Sequence, residues 1–487
     1  MTFRTWFIYR WRQIAITCVL VTTVICTGCV VGWSVEVSRI MEDPNSVLLN
    51  ITQDDQQWLV SSSGIAAMFS TLFTGVLVES VGPCRVVSFI LLPAAIGWVL
   101  MAATEALPWI YIGRITTGGV GFMLTTIIQP LIAEMCTADV RGLLSALPEI
   151  MVSIGMLLMY IMARFLDWQS ATLICGVLLF PVNAAVLFVP ESPYWLLKNG
   201  KEKQALRALM KLRAPEHDVD AELNSIRDSL TEQQRNGSIM KQIRALKDPG
   251  NYRPVILVTS IFILRELGGA MVIFMYAVYF FENAGVTLDP FTCSVLVGVC
   301  RLVFTFISAC TIDKVGRRPL LIFSALVCGL SMYITGGILY TQGVGLGWVP
   351  LTAVMVYVAS FGLGVGPVPW ILLGELLPTP VRSIGASIAT GVFVILLFVI
   401  TQIFPDLTTA IGLEDAVMAF GSFHILLSIV AFFFLPESRG RTLEELQYAF
   451  VGRGAMAPFS NPERQGYTPA YGSTFPSTST QGMEKVR

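Results

Sequence analysis

Twelve runs of predominantly apolar residues, each near the roughly 20 residues that a helix needs to span hydrocarbon, constrain this chain more than any other feature. They begin near Ile14, Leu59, Val86, Trp109, Leu143, Ser170, Pro254, Pro290, Leu320, Trp348, Ser383 and Ala416. A run of this length inside lipid must close its own backbone hydrogen bonds, which a helix does. Composition agrees: 54% of the 487 residues are hydrophobic and 13% charged, against about 25% charged in soluble domains. The sequence therefore predicts an all-α membrane protein with twelve transmembrane helices.

Its chemistry repeats along the chain. Glu134 and Arg141 recur 241 residues later as Glu375 and Arg382, each acid ending an apolar run and each base lying across a short loop. Glu79 and Gly82 recur 234 residues later as Asp313 and Gly316, and Pro-Glu-Ser at Pro190 recurs 246 residues later at Pro436. Correlated echoes of this kind mark a duplicated polytopic protein. The expected organisation is two pseudo-symmetric six-helix bundles, residues 14–189 and 254–435. A cytosolic N-terminus (1–13), a linker (190–253) and a tail (436–487) complete it.

Basic residues set the orientation, because Lys and Arg stay on the cytoplasmic side. With the N-terminus inside, 27 of the 32 Lys and Arg face the cytosol, Arg39 and Arg164 face out, and Arg114, Arg265 and Arg301 lie within helices. Both termini are then cytoplasmic. No small-residue cleavage site follows the first run, so it reads as a retained helix, not a signal peptide. A net charge of −1 gives no reason to expect a nucleic-acid partner.

Ten cysteines sit in spans or on cytoplasmic loops, with only Cys293 near the outer face. They read as small packing residues, without disulfides or a metal site. His217 lies in the linker and His424 alone in the last helix, so neither is a candidate relay. No nucleophile, metal or carboxylate constellation appears outside the repeated motifs, so the chain is read as a non-enzyme without cofactors.

Ser192 and Pro193 suit an N-cap and first helical position, and Gly200 suits a stop. Lys201 to Leu212 then reads as a short amphipathic helix, a small helical insertion beneath the bundle. From about Gly454 the tail is rich in Pro, Ser, Thr and Gly, the composition of disorder. Gly366, Pro367 and Pro369 interrupt the tenth run, which is tolerated at membrane depth where backbone lines a cavity.

Together these residues resemble the sugar porter family of the major facilitator superfamily, in particular the insect facilitated trehalose transporters, over roughly residues 14–450. The resemblance rests on Gly113 and Arg114 with the Gly-rich run to Gly121, Glu134 with Arg141 and Gly142, and PESPYWL from Pro190. It continues with DKVGRRP from Asp313, GPVPW before Glu375 and Arg382, and PESRGRTLEEL from Pro436. It implies a plasma-membrane transporter, functional as a monomer, whose two bundles rock about a central site to move a hexose or a disaccharide such as trehalose. Gating salt bridges would involve Glu134, Arg141, Glu375, Arg382, Asp313, Arg317, Arg318, Glu191, Glu437 and Arg114. The short charged loops near Glu79 and Asp313 would latch the halves.

The central site departs from that family. Positions that carry amide ligands in relatives hold Glu149, Arg265, Glu266, Met271 and Arg301 here, while Trp370, as a platform for a sugar ring, and Phe361 remain. Charges at mid-membrane normally pair or line water. Glu149 from the first half is therefore expected to pair across the cavity with Arg301 or Arg265 from the second, and Glu266 with the other arginine. Surplus arginine would suit an anionic solute. Proton coupling is a further alternative, although the acid that proton-coupled relatives place opposite Arg114 is replaced by Ser34. A non-transporting solute sensor of the same fold is another.

Two glycosylation sequons test the topology: Asn50-Ile51-Thr52 on the outer side, and Asn236-Gly237-Ser238 in the cytosolic linker. Removal of N-glycans is expected to shift the wild-type band on a gel and to leave Asn50→Gln unshifted, whereas Asn236→Gln should shift like the wild type.

Overall fold

A computed structural model describes residues 3–42, 52–104, 106–214, 218–236, 239–341, 348–441, 445–446 and 450. Asn50, His217 and the tail beyond 450 lie outside the described residues, as do the side chains of Arg141 and Asn236. Among the described residues, twelve helices are long and apolar enough to cross a membrane. The first six are α1 (Arg10–Met41), α2 (Gln53–Val81), α3 (Pro83–Ala103), α4 (Leu107–Met135), α5 (Leu144–Phe165) and α6 (Trp168–Val186). The second six are α7 (Pro249–Met275), α8 (Pro290–Val315), α9 (Arg317–Tyr340), α10 (Trp348–Glu375), α11 (Arg382–Ile411) and α12 (Leu413–Phe434).

An even number of alternating spans leaves both ends of each half on one side, called here the linker end. The opposite side is the far end. Three far-end helix starts, those of α2, α6 and α8, carry their own caps. Thr52 and Asp55 form a capping box on α2, and the Asp167 and Asp289 carboxylates accept from the backbone N–H of Ser170 and Thr292, satisfying donors that the first turn cannot. The Ser170 bond holds the Asp167 carboxyl below its ordinary range.

Small residues let the helices of each half approach closely. Gly28 and Gly32, four apart on α1, face α5, where a Cβ on Gly28 would come within 2.1 Å of the Val152 carbonyl oxygen and one on Gly155 within 2.2 Å of the Ile25 carbonyl oxygen. Backbone contact of this kind substitutes for the hydrophobic drive that lipid removes. Among the described residues, α1 is interrupted by a turn at Thr23 and Val24 and a 3-10 turn over Trp33–Val35, α7 at Gly268 and Gly269, the latter with φ of 74°, and α10 at a π-helical turn over Phe361–Val365.

The halves meet chiefly at the far end. Gln57 on α2 donates to Asp406 on α11 at 2.7 Å, and Ser61 donates to Gln402 one turn deeper. Arg164 on α5 contacts Asp289 at 3.1 Å and Thr292 at 3.0 Å, Tyr160 donates to the Phe274 carbonyl at 2.5 Å, and Arg39 stacks on Phe291 at 4.6 Å.

The linker folds as four short helices, Pro193–Lys198, Glu202–Leu212, Val219–Asn236 and Ile239–Ala245. The first three share a small core of Trp195, Leu196, Leu209 and Leu223. Lys198 pairs with Glu79 at 2.6 Å and the Trp195 indole donates to the Glu79 carbonyl at 3.0 Å, which fixes this part of the linker to the first half.

Adding a methyl group at Gly28 is expected to strain the crossing of α1 and α5 by about 1–3 kcal/mol. Thermal unfolding of detergent-purified Gly28→Ala should occur several degrees below the wild type; an unchanged midpoint would show that the crossing relaxes freely.

Candidate functional site

At the linker end the same device is built twice. Gly82 and Gly316, with φ of 109° and 102°, turn the chain sharply into α3 and α9. These helices begin with free N–H donors and a partial positive charge. Glu191 supplies the matching carboxylate to α3, accepting from the N–H of Cys84 at 2.8 Å and Arg85 at 3.2 Å. Glu437 does the same for α9, accepting from Arg317 and Arg318, each at 3.1 Å. Glycine is needed for room as well as for φ: a Cβ would lie 2.6 Å from a Glu191 oxygen in one copy and 2.8 Å from a Glu437 oxygen in the other.

The next residue in each motif reaches the acid at the linker end of the fourth helix of its half, Glu134 on α4 and Glu375 on α10. Ser192 donates to Glu134, and Ser438 donates to Glu375 at 2.6 Å. Glu375 also pairs with Arg317 at 2.9 Å, and Arg317 with Asp313 at 2.9 Å. In the first half Pro83 occupies the position of Arg317, so Glu134 has no guanidinium from that site. Arg382 donates to the Leu377 carbonyl at 3.3 Å instead of meeting Glu375, and one of its buried nitrogens has no hydrogen bond.

The charged loops find their partners close by. Asp313, Arg317, Glu375 and Glu437 are tied within the second half, and Glu79, Arg85 and Glu191 within the first half and linker. Among the described residues, the charged loops do not join the halves to each other. Arg318 has its guanidinium on the Phe432 carbonyl at 2.6 Å and is not in a salt bridge among the described residues. Arg114, too, has no carboxylate partner among the described residues. Its buried guanidinium donates to the carbonyls of Val30 (2.9 Å) and Leu59 (3.1 Å) and to Ser34 Oγ (3.0 Å), and lies 4.7 Å over Trp33. Several oxygens and an aromatic face disperse the charge without a counterion.

Deep in the bundle four charges form two pairs. Arg265 and Glu266, adjacent on α7 and 2% exposed each, meet at 2.6 Å. Arg265 also donates to the Val365 carbonyl at 3.2 Å, a group on the π-helical turn of α10. Around its guanidinium stand Phe361 and Phe393, both at 5.4 Å, and Trp370 at 5.9 Å. The second pair crosses between halves: Arg301 on α8 approaches Glu149 on α5 at 3.6 Å. Phe274 lies 4.4 Å and Phe361 5.9 Å from the Arg301 guanidinium, so the Phe361 ring faces both arginines. Met271 packs half-buried against the surrounding core.

Trp370 sits edge-on to Phe262 and Phe393, with ring centroids 5.0 and 5.3 Å away, and its indole nitrogen has no hydrogen-bond partner. The break in α7 is filled from α12. His424 packs against Gly268 so tightly that a Cβ there would meet the ring at 2.0 Å, and Tyr357 donates to the Gly268 carbonyl at 3.3 Å.

Ser192 caps the Pro193–Lys198 helix as read, accepting from the Trp195 N–H at 3.3 Å, but sequence reasoning missed the bonds of Ser192 and Ser438 to Glu134 and Glu375, although both stand in the Pro-Glu-Ser echoes that signalled duplication. It also missed Glu36 on α1, which is fully buried, has no hydrogen bond to either carboxylate oxygen and lies 3.8 Å from Arg39.

The family model described as "Sugar (and other) transporter" matches residues 16–450. The chain belongs to that family. The facilitated trehalose transporter Tret1 of Culex quinquefasciatus is 29% identical over 418 residues, 85% of this chain and 81% of that one. Tret1 of Aedes aegypti is 29% identical over 418 residues, 85% of this chain and 52% of that one. This sugar-transporter family member thus spans about half the length of several relatives. The xylose transporter XylE from E. coli, in an inward open conformation, superposes with a TM-score of 0.72 at 23% identity, over 90% of this chain and 100% of that chain. The fold is that of the major facilitator superfamily.

Breaking one side of a fully buried ion pair costs about 3–5 kcal/mol; Glu149, about a quarter exposed, loses less. Glu149→Gln and Arg301→Asn are each expected to cut initial solute uptake by roughly tenfold, and the double variant to recover part of that loss. Losses that simply multiply would show that the two groups act independently.

Proposed function

We propose that this chain is a facilitated sugar transporter working by alternating access, with its linker end and both termini in the cytosol of a plasma-membrane-bound monomer. The observation that carries this reading is the position of the Arg301–Glu149 pair. It bridges the halves at the middle of the bundle, while their hydrogen bonds and ion pairs hold the far end together. At the linker end, among the described residues, the charged loops pair within their own half or with the linker. A molecule so tied is closed to the far side, and a rocking motion that exchanges far-end contacts for linker-end contacts would open it there.

The central cluster of charges and rings favours a neutral polyhydroxy solute. Two guanidinium groups and two carboxylates sum to no net charge, which gives an anion nothing to neutralise. Both groups hydrogen-bond hydroxyls well, and the unpartnered indole N–H of Trp370 is a further donor. Aromatic rings supply the apolar faces that a sugar ring stacks on. The named specificity of the trehalose-transporting relatives suggests a hexose or a disaccharide such as trehalose.

One observation favours a second reading, proton-linked uptake. Ser34 rather than an acid faces Arg114, but Glu36, two residues on, is buried without a hydrogen bond and is the group available to carry a proton.

Uptake into proteoliposomes, measured over a panel of hexoses, disaccharides, polyols and sugar acids, tests both. Saturable flux of a neutral sugar, equal with and without an inward proton gradient, is the expected result. Flux that rises steeply with the gradient and loses that dependence in Glu36→Gln would establish the second reading. Folded protein that binds a sugar but moves none of the panel would overturn transport in favour of a sensor.

A further inference from the structure

Duplication gives the two halves a corresponding crevice at the linker end, between the start of the third helix of each half and the end of its sixth. In the first half it encloses about 500 Å³ between α3 and α6, and its one arginine, Arg85, has a carboxylate 3.9 Å away on Glu191. In the second half it widens to about 780 Å³, reaching α7 as well as α9 and α12. Two guanidinium groups line it, Arg253 and Arg318. Neither has a carboxylate partner among the described residues: Arg253 donates to the Phe450 carbonyl at 2.7 Å and Arg318 to the Phe432 carbonyl at 2.6 Å. The other walls include Ile256, Val430, Phe433 and Phe434, and all but Val430 are exposed.

Depth along the bundle fixes what this combination meets. Arg253 is in the first turns of α7, Arg318 is the second residue of α9, and Phe433 and Phe434 close α12, so a bilayer spanned by these helices would hold the arginines at headgroup level. Ile256 and Val430 lie about one turn deeper, where acyl chains begin. Two uncompensated cations above an apolar wall at this level are complementary to an anion that carries hydrocarbon.

We propose that the crevice between α7, α9 and α12 is a binding site for one anionic phospholipid, its phosphate and headgroup carboxylate between Arg253 and Arg318 and the upper part of an acyl chain against Phe433 and Ile256. The site depends only on membrane insertion and not on which solute is transported. Because Arg318 also donates its N–H to Glu437, the lipid would sit directly behind the second latch.

Native mass spectrometry of the full-length, detergent-purified protein tests this with phosphatidylserine and phosphatidylcholine of the same acyl chains. At roughly fivefold per basic group, the wild type is expected to retain phosphatidylserine about thirtyfold over phosphatidylcholine. Arg253→Gln with Arg318→Gln should abolish most of that preference, Arg253→Lys with Arg318→Lys should keep it, and Arg85→Gln should leave it unchanged. The two-lipid comparison on the wild type stands even where a variant fails to fold. Equal retention of both lipids, a preference that survives the double Gln variant, or equally tight binding of glycerol phosphate without acyl chains would overturn the proposal. So would a preference that appears only after truncation beyond Phe450, since the tail would then be the occupant.

Discussion

Inside a bilayer a charge has no water to fall back on, and the cost of about 2.5–3.5 kcal/mol at a helix centre has to be met by a partner or a cavity. Nearly every structural decision in this protein answers that constraint. Arg114 is wrapped in carbonyl oxygens, Arg265 takes the carboxylate of its own neighbour, and Arg301 takes one from the opposite half. The last choice carries the most consequence. A pair contributed by both halves cannot keep its geometry while the halves rotate, so charge burial and conformational change become one problem.

Duplication supplied the halves with the same linker-end solution, and drift made the copies unequal. Both latches aim a Pro-Glu-Ser carboxylate at a helix N-terminus behind a positive-φ glycine, and both pass a serine hydroxyl to the acid that ends the fourth helix of the half. Among the described residues, the second adds a guanidinium to its acid, because Arg317 stands where the first copy has Pro83. The second latch is therefore a network of Asp313, Arg317, Glu375, Ser438 and Glu437. The first depends on hydrogen bonds to neutral groups around Glu134, with Arg85 and Lys198 at its edge.

Spans and repeats were legible in the sequence because both are one-dimensional signals: apolar length, and motifs recurring at nearly constant offset. The breaks in α7 and α10 were partly legible, since Gly and Pro mark them, but the π-helical turn that exposes Val365 to Arg265 has no local signature. Charge partners were harder. Opposite charges on a sequence invite pairing with each other, whereas Glu191 and Glu437 pair with backbone N–H groups and Arg114 with carbonyls. Backbone partners carry no letter in the sequence. Two linker helices, Val219–Asn236 and Ile239–Ala245, were also unread, because their polar composition resembles that of a loop.

The central claim is that far-end contacts between the halves must part in each transport cycle. A Cβ on Gly64 of α2 would lie 3.2 Å from the Cβ of Phe398 on α11, close to the 3.5–4.5 Å of a disulfide, so cysteines at these two positions can lock the far end shut. Oxidised Gly64→Cys with Phe398→Cys should lose sugar flux in proteoliposomes and regain it on reduction, with each single variant insensitive to oxidant. Undiminished flux through fully cross-linked protein would contradict the account.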